Sequence, residues 1–99
     1  MYNVLIVENN LKTIENIVNN FSCYIKNIKI YSITSNYNIA KSIILSQNAD
    51  IIILGTYFKK LEDFIKKNKI IKYNHSVITL STNTNCYQDL ITSVQKIIN

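Results

Sequence analysis

The chain of 99 residues has no proline, no tryptophan and no arginine, and its one glycine is Gly55. Without proline, breaks between elements have to be read from asparagine clusters and from changes of hydrophobic period. Without arginine, the bidentate contacts that read guanine are missing, so nucleic-acid recognition is disfavoured despite a net charge of +5. Isoleucine, asparagine and lysine fill nearly half of the chain, a mixture that codon bias toward A and T produces with no function attached. No apolar run exceeds four residues, against the roughly 20 that a membrane-spanning helix needs. Met1 leads straight into a strand pattern, with no charged n-region or apolar h-region. No signal peptide is therefore expected, and the expected compartment is the cytoplasm. Cys23 and Cys86 stand in no CxxC motif and have no histidine beside them. They read as two reduced thiols in a reducing compartment, with no metal site.

What is present is a globular composition, 47% hydrophobic, in a length that makes one domain over residues 1–99. Val4 to Val7 and Ile51 to Leu54 are continuous apolar runs, the pattern of strands buried on both faces. "NIKIYSITS" alternates instead, with Ile28, Ile30 and Ser32 on one face, and reads as a half-exposed strand near an edge. "HSVITLST" supplies a fourth strand through Val77, Ile78 and Leu80. Between the strands the period changes to that of a helix. Leu11, Ile14, Ile17, Val18 and Phe21 form the first stripe, with Asn9 or Asn10 as its cap. Ile39, Ile43 and Ile44 form the second, capped by Asn36 or Asn38, and Leu61, Phe64, Ile65 and Ile71 the third. Leu90, Ile91, Val94, Ile97 and Ile98 mark a last amphipathic helix.

Strict alternation of strand and helix predicts an α/β fold of three layers, a (βα)4 chain whose parallel four-stranded sheet carries helices on both faces. Right-handed crossovers predict the strand order 2-1-3-4. The first helix then covers one face and the second and third cover the other. The last helix is expected to dock beside the first. That layout puts Cys23 at the bottom of the sheet and Cys86 at the top, about 16 Å apart along a helix, too far for a disulfide.

In order and spacing these pieces resemble the receiver domain of bacterial response regulators, a flavodoxin-like fold. "VLIVENN" is similar to the receiver's first strand and the acidic pair after it. "NADIIILGTY" is similar to the third strand, which ends in the phosphoacceptor aspartate. "SVITLST" is similar to the fourth strand, which ends in a switch Thr or Ser, and "YQDLITSVQKII" to the last helix. Receiver chemistry needs a carboxylate nucleophile, a magnesium ion held by carboxylates, a lysine and a hydroxyl. The resemblance places the acidic pair on Glu8 and Asn9, the phosphoacceptor on Gly55 and the switch on Ser81. One carboxylate of the pair is gone, and Gly55 has no nucleophile. The family's fifth strand, with its lysine and its aromatic residue, has no counterpart, so the chain is shorter than a receiver by about one helix and one strand.

On the residues alone, Glu8 reads as a solvated loop acid, Asn9 as a helix cap and Ser81 as a strand-end hydroxyl. Thr56 reads as a loop threonine, and His75 falls at the bottom of the sheet, away from the crevice. Lys59, Lys60, Lys66, Lys67, Lys69 and Lys72 stand against Glu62 and Asp63, a local charge of +4. They read as a solvated helix face or as a docking patch for an acidic partner. The resemblance implies an atypical receiver-like module, not an enzyme, that acts by phosphorylation-independent protein–protein interaction or as a homodimer. Loss of the fifth strand leaves the fourth as an open edge for pairing. No cofactor, metal, membrane or small-molecule substrate is expected. Two other readings stay open: the regulatory half of a DNA-binding response regulator whose output domain lies outside this chain, and a crevice enzyme with residual phosphotransfer.

Overall fold

A computed structural model describes residues 1–81 and 87–98. Cys86, and with it the expectation about a bridge to Cys23, lies outside the described residues. The strands are β1 (Tyr2–Val7), β2 (Ile28–Thr34), β3 (Ile51–Leu54) and β4 (Val77–Thr79). The helices are α1 (Leu11–Tyr24), α2 (Tyr37–Ser46), α3 (Lys60–Lys67) and α4 (Gln88–Ile98). The strands form one sheet in the order β2-β1-β3-β4, and every neighbouring pair is parallel. This is a three-layer α/β fold of the flavodoxin-like type, with the expected strand order.

The apolar runs form central strands because both of their faces are covered. Leu5, Val7, Ile52 and Leu54 alternate with Val4, Ile6, Ile51 and Ile53, and all eight are fully buried. The first set packs against Ala40 and Ile44 of α2 and Leu61 and Ile65 of α3. The second packs against Ile17 and Phe21 of α1 and Leu90, Ile91 and Val94 of α4. The last helix therefore docks beside the first, as its apolar stripe predicts. Each fully buried Leu, Ile or Val contributes about 1.5–3 kcal/mol, so these strands anchor the domain.

The first two helices start where asparagine can cap them. The Asn10 side chain accepts from the Thr13 N–H at 3.0 Å, and the Asn36 side chain accepts from the Ile39 N–H at 3.0 Å. Asn10 and Asn36 are thus the caps, with each short amide taking up one of the helix's free donors. With one glycine in the chain, left-handed positions fall to Asn27, Gln47 and Lys69, at φ 65, 57 and 53°.

Three apolar positions depart from the expected core. Leu11, Ile39 and Ile71 are 76, 51 and 79% exposed. Leu11 and Ile39 lie in the first turns of their helices. Ile71 is exposed because the third stripe is not one helix. α3 stops at Lys67, Lys69 turns left-handed, and a 3-10 turn over Ile71–Tyr73 buries Ile70 and Tyr73 instead. The alternation of β2 holds, with Ile28, Ile30 and Ser32 half-buried and Lys29, Tyr31 and Ile33 exposed, but its pairing with β1 is irregular. Val4 lies opposite Ile30 but Leu5 lies opposite Ser32, so the register slips by one residue at Tyr31.

Candidate functional site

In an open parallel sheet the crevice lies at the carboxyl ends of the strands, where the order reverses. Here it lies between β1 and β3. The Gly55 N–H donates to the Val7 carbonyl at 2.8 Å, and the Glu8 N–H donates to the Thr34 carbonyl at 3.0 Å. The sheet ladder thus continues one residue past each strand and sets Glu8 beside Gly55. The resulting cleft, of about 250 Å³, is lined among the described residues by Glu8, Asn9, Thr56, Tyr57, Ser81 and Tyr87, with others.

Glu8 is not the solvated acid that its loop position suggested. It is only 7% exposed. Its Oε2 accepts from the backbone N–H groups of Asn9 at 2.8 Å and Asn10 at 3.4 Å, just ahead of α1. A carboxylate in that place takes up free donors at the head of a helix and lies in the favourable end of its dipole. The same side chain covers Gly55. A Cβ on residue 55 would stand 2.6 Å from Glu8 Oε1 and 2.9 Å from Oε2. Gly55 itself has φ −64° and ψ 162°, a conformation that any residue adopts. What the glycine provides is space: the Glu8 carboxylate, the end of a flexible side chain, lies where a side chain at 55 would begin and would have to shift for one.

The other crevice residues hold ordinary roles. Asn9 is exposed and leaves the capping to Asn10. Thr56 opens a 3-10 turn and its hydroxyl donates to the Leu80 carbonyl at 3.3 Å. Ser81 is exposed at the rim. Tyr57 and Tyr87, which no motif singled out, also line the cleft, and the Tyr87 hydroxyl accepts from the Asn16 side chain at 3.5 Å. His75 is exposed two residues before β4, at the far end of the sheet.

These residues do not fit the magnesium ion that a receiver uses. The one carboxylate is turned onto backbone N–H groups, and its neighbour Asn9 is neutral. Among the described residues, no group of three His, Cys, Asp or Glu side chains comes together that could hold a metal ion. Among the same residues no helix is long and apolar enough to cross a membrane.

All six lysines are exposed, along α3 and the turns that follow it. Lys59 and Lys60 stand at the start of α3, and Lys66 and Lys67 at its end, roughly 10 Å further on at 1.5 Å per residue. Lys69 follows in the left-handed turn and is exposed. Lys72 faces the amino end of β3, where its Nζ lies 3.3 Å from Asp50 Oδ1 and donates to the Gln47 carbonyl at 2.6 Å. Below that pair Tyr73 is buried, and its hydroxyl donates to the Ala49 carbonyl at 2.7 Å. Burial, and then the negative charge of Asp50, push the Tyr73 phenol up to about 12.

Compared with known proteins, no family model matches the chain, and no curated protein or solved structure matches it. The fold class stands on the topology, and any function has to be argued from the site.

Proposed function

We propose that the chain is a receiver-like signalling module that has lost phosphoacceptor chemistry and works by phosphorylation-independent protein–protein interaction. One observation carries the reading. At the carboxyl end of β3, where a receiver presents its aspartate, residue 55 has no side chain and the Glu8 carboxylate fills that space. The negative group of this crevice is thus built into β1's end and already satisfied by backbone donors. The scaffold that positions it, a 2-1-3-4 parallel sheet with helices on both faces, is of the type receivers use.

The test is incubation of the whole chain with acetyl phosphate and magnesium, followed by intact mass measurement. The expected result is an unmodified mass. A stoichiometric phosphate adduct overturns the reading in favour of residual phosphotransfer. Gly55→Asp is expected to stay unmodified too, because the new carboxylate meets Glu8 rather than a metal site. Phosphorylation of that variant would show that the crevice keeps its chemistry in all but one residue.

A further inference from the structure

β4 is the edge of the sheet, and among the described residues it pairs only with β3. The Ser76 carbonyl accepts from the Ile52 N–H at 2.9 Å, and the Leu80 N–H donates to the Leu54 carbonyl at 2.8 Å. Residues 76 and 80 therefore face β3, and so does residue 78 between them. By the period of two, Val77 and Thr79 turn their backbone N–H and C=O groups to the open edge.

Along this edge runs a groove of about 560 Å³ between β4 and the segment from α3 to the 3-10 turn. Ile65, Ile70, Tyr73 and Val77 give it an apolar lining, and Lys66 and Lys69 are exposed beside them. Glu62, its acidic member, accepts from the Thr79 hydroxyl. The groove thus offers two cations, one acid already bonded to Thr79, and an apolar floor beside strand groups that are unpaired among the described residues.

We propose that this edge and groove take an extended acidic segment of another protein, which adds to β4 as an outer strand and sets apolar side chains against Val77. The proposal rests on the reading of the chain as an interaction module and names the chemistry of its partner. Strand addition supplies main-chain hydrogen bonds, and pockets for alternate side chains supply specificity. β4 is only three residues long, so the groove and its lysines must contribute much of the affinity. Charge decides between occupants. A second copy, itself carrying a net +5, would set Lys66 and Lys69 against their own counterparts, whereas an acidic segment meets opposite charge.

The probe is a short fluorescein-labelled peptide in which glutamate and valine take turns at every second position, with threonine between them, so that both fall on one face of the strand; its counterpart carries lysine in place of glutamate. The glutamate peptide is expected to raise anisotropy saturably, to weaken as salt rises, and to lose about tenfold in affinity with Lys66→Glu and Lys69→Glu together. Hydrogen exchange locates the event. Bound peptide should protect the amides of Val77 and Thr79 and leave those of Ile78 and Leu80, which face β3, unchanged. Thr79→Pro should abolish binding while sparing the β3 ladder, since an edge proline removes only an outward donor. The double lysine variant serves the same purpose if that proline variant fails to fold. The proposal is overturned by absence of binding, by equal binding of the lysine peptide, or by protection gained at β2 or in the crevice. Concentration-dependent protection of Val77 and Thr79 in the peptide-free chain would assign the edge to a second copy and overturn it too. Each of these outcomes leaves the interaction reading standing. A phosphate adduct on the peptide-free chain would overturn that reading, whatever the peptide does.

Discussion

The Glu8 carboxylate lies directly over the Cα of Gly55, with its Cδ 2.8 Å from the place a Cβ would occupy. The two residues follow neighbouring strands, and the space one leaves is filled by the other. Gly55→Ala should cost about 1–2 kcal/mol in urea denaturation, because the methyl group drives Glu8 off the Asn9 and Asn10 N–H groups. In a Glu8→Ala background the same change should cost nothing or stabilise by about 0.5 kcal/mol, since φ −64° suits alanine. A double-mutant cycle reads the coupling directly. Equal costs in both backgrounds would mean that Glu8 is not what excludes a side chain.

Gln47 closes α2 in the left-handed region at φ 57°, and its N–H donates to the Ile44 carbonyl at 3.2 Å. A Cβ is disfavoured there and glycine is the usual occupant. Gln47→Gly should raise stability by about 0.5–1 kcal/mol, read as a higher melting temperature. The carbonyl that Lys72 uses belongs to the backbone and survives the change.

Tyr73 predicts a loss of stability in alkali. Its phenol ionises near 10 when unfolded and is pushed up to about 12 when folded, so the folded state holds the proton more tightly. The stabilisation is complete below pH 10 and drains away as pH rises from about 10 to 12. Its size should be on the order of 1–2 kcal/mol, since solvent screens the half-exposed Asp50. Tyr73→Phe loses the hydrogen bond to Ala49 at all pH values and should flatten this part of the curve. An unchanged slope in that variant would assign the alkaline loss to other groups.

Asp50 and Lys72 should prove unequal partners. The Asp50 carboxylate accepts from the Asn3 N–H at 2.7 Å and ties the foot of β1 to β3, whereas Lys72 meets it from the solvent side. Lys72→Met should cost well under about 1 kcal/mol, the usual worth of an exposed pair. Asp50→Ala should cost about 1–2 kcal/mol, because a part-buried backbone donor then loses its acceptor. High salt should narrow the first difference and leave most of the second.

Periodicity made most of the fold legible. Four-residue apolar runs require cover on both faces, and alternating strands and helices with right-handed crossovers leave few ways to supply it. Asparagines before helical stripes named their caps to within two residues. What the pattern missed lay at ends and turns. Ile71 keeps the spacing of its stripe, yet the chain leaves the helix at Lys67 and buries Ile70 instead. Nothing in a hydrophobic period reports a left-handed lysine.

At the site, the sequence by itself determined that residue 55 has no side chain and that an acid, Glu8, follows the first apolar run. Only the tertiary structure decided what that carboxylate does. Its burial depends on β1 and β3 lying side by side and on α1 starting just beyond, contacts between segments 47 residues apart that no local pattern encodes. The same is true of the lysines. Their number belongs to composition, but only the structure sets Lys66 and Lys69 in the groove beside β4 and Lys72 against Asp50.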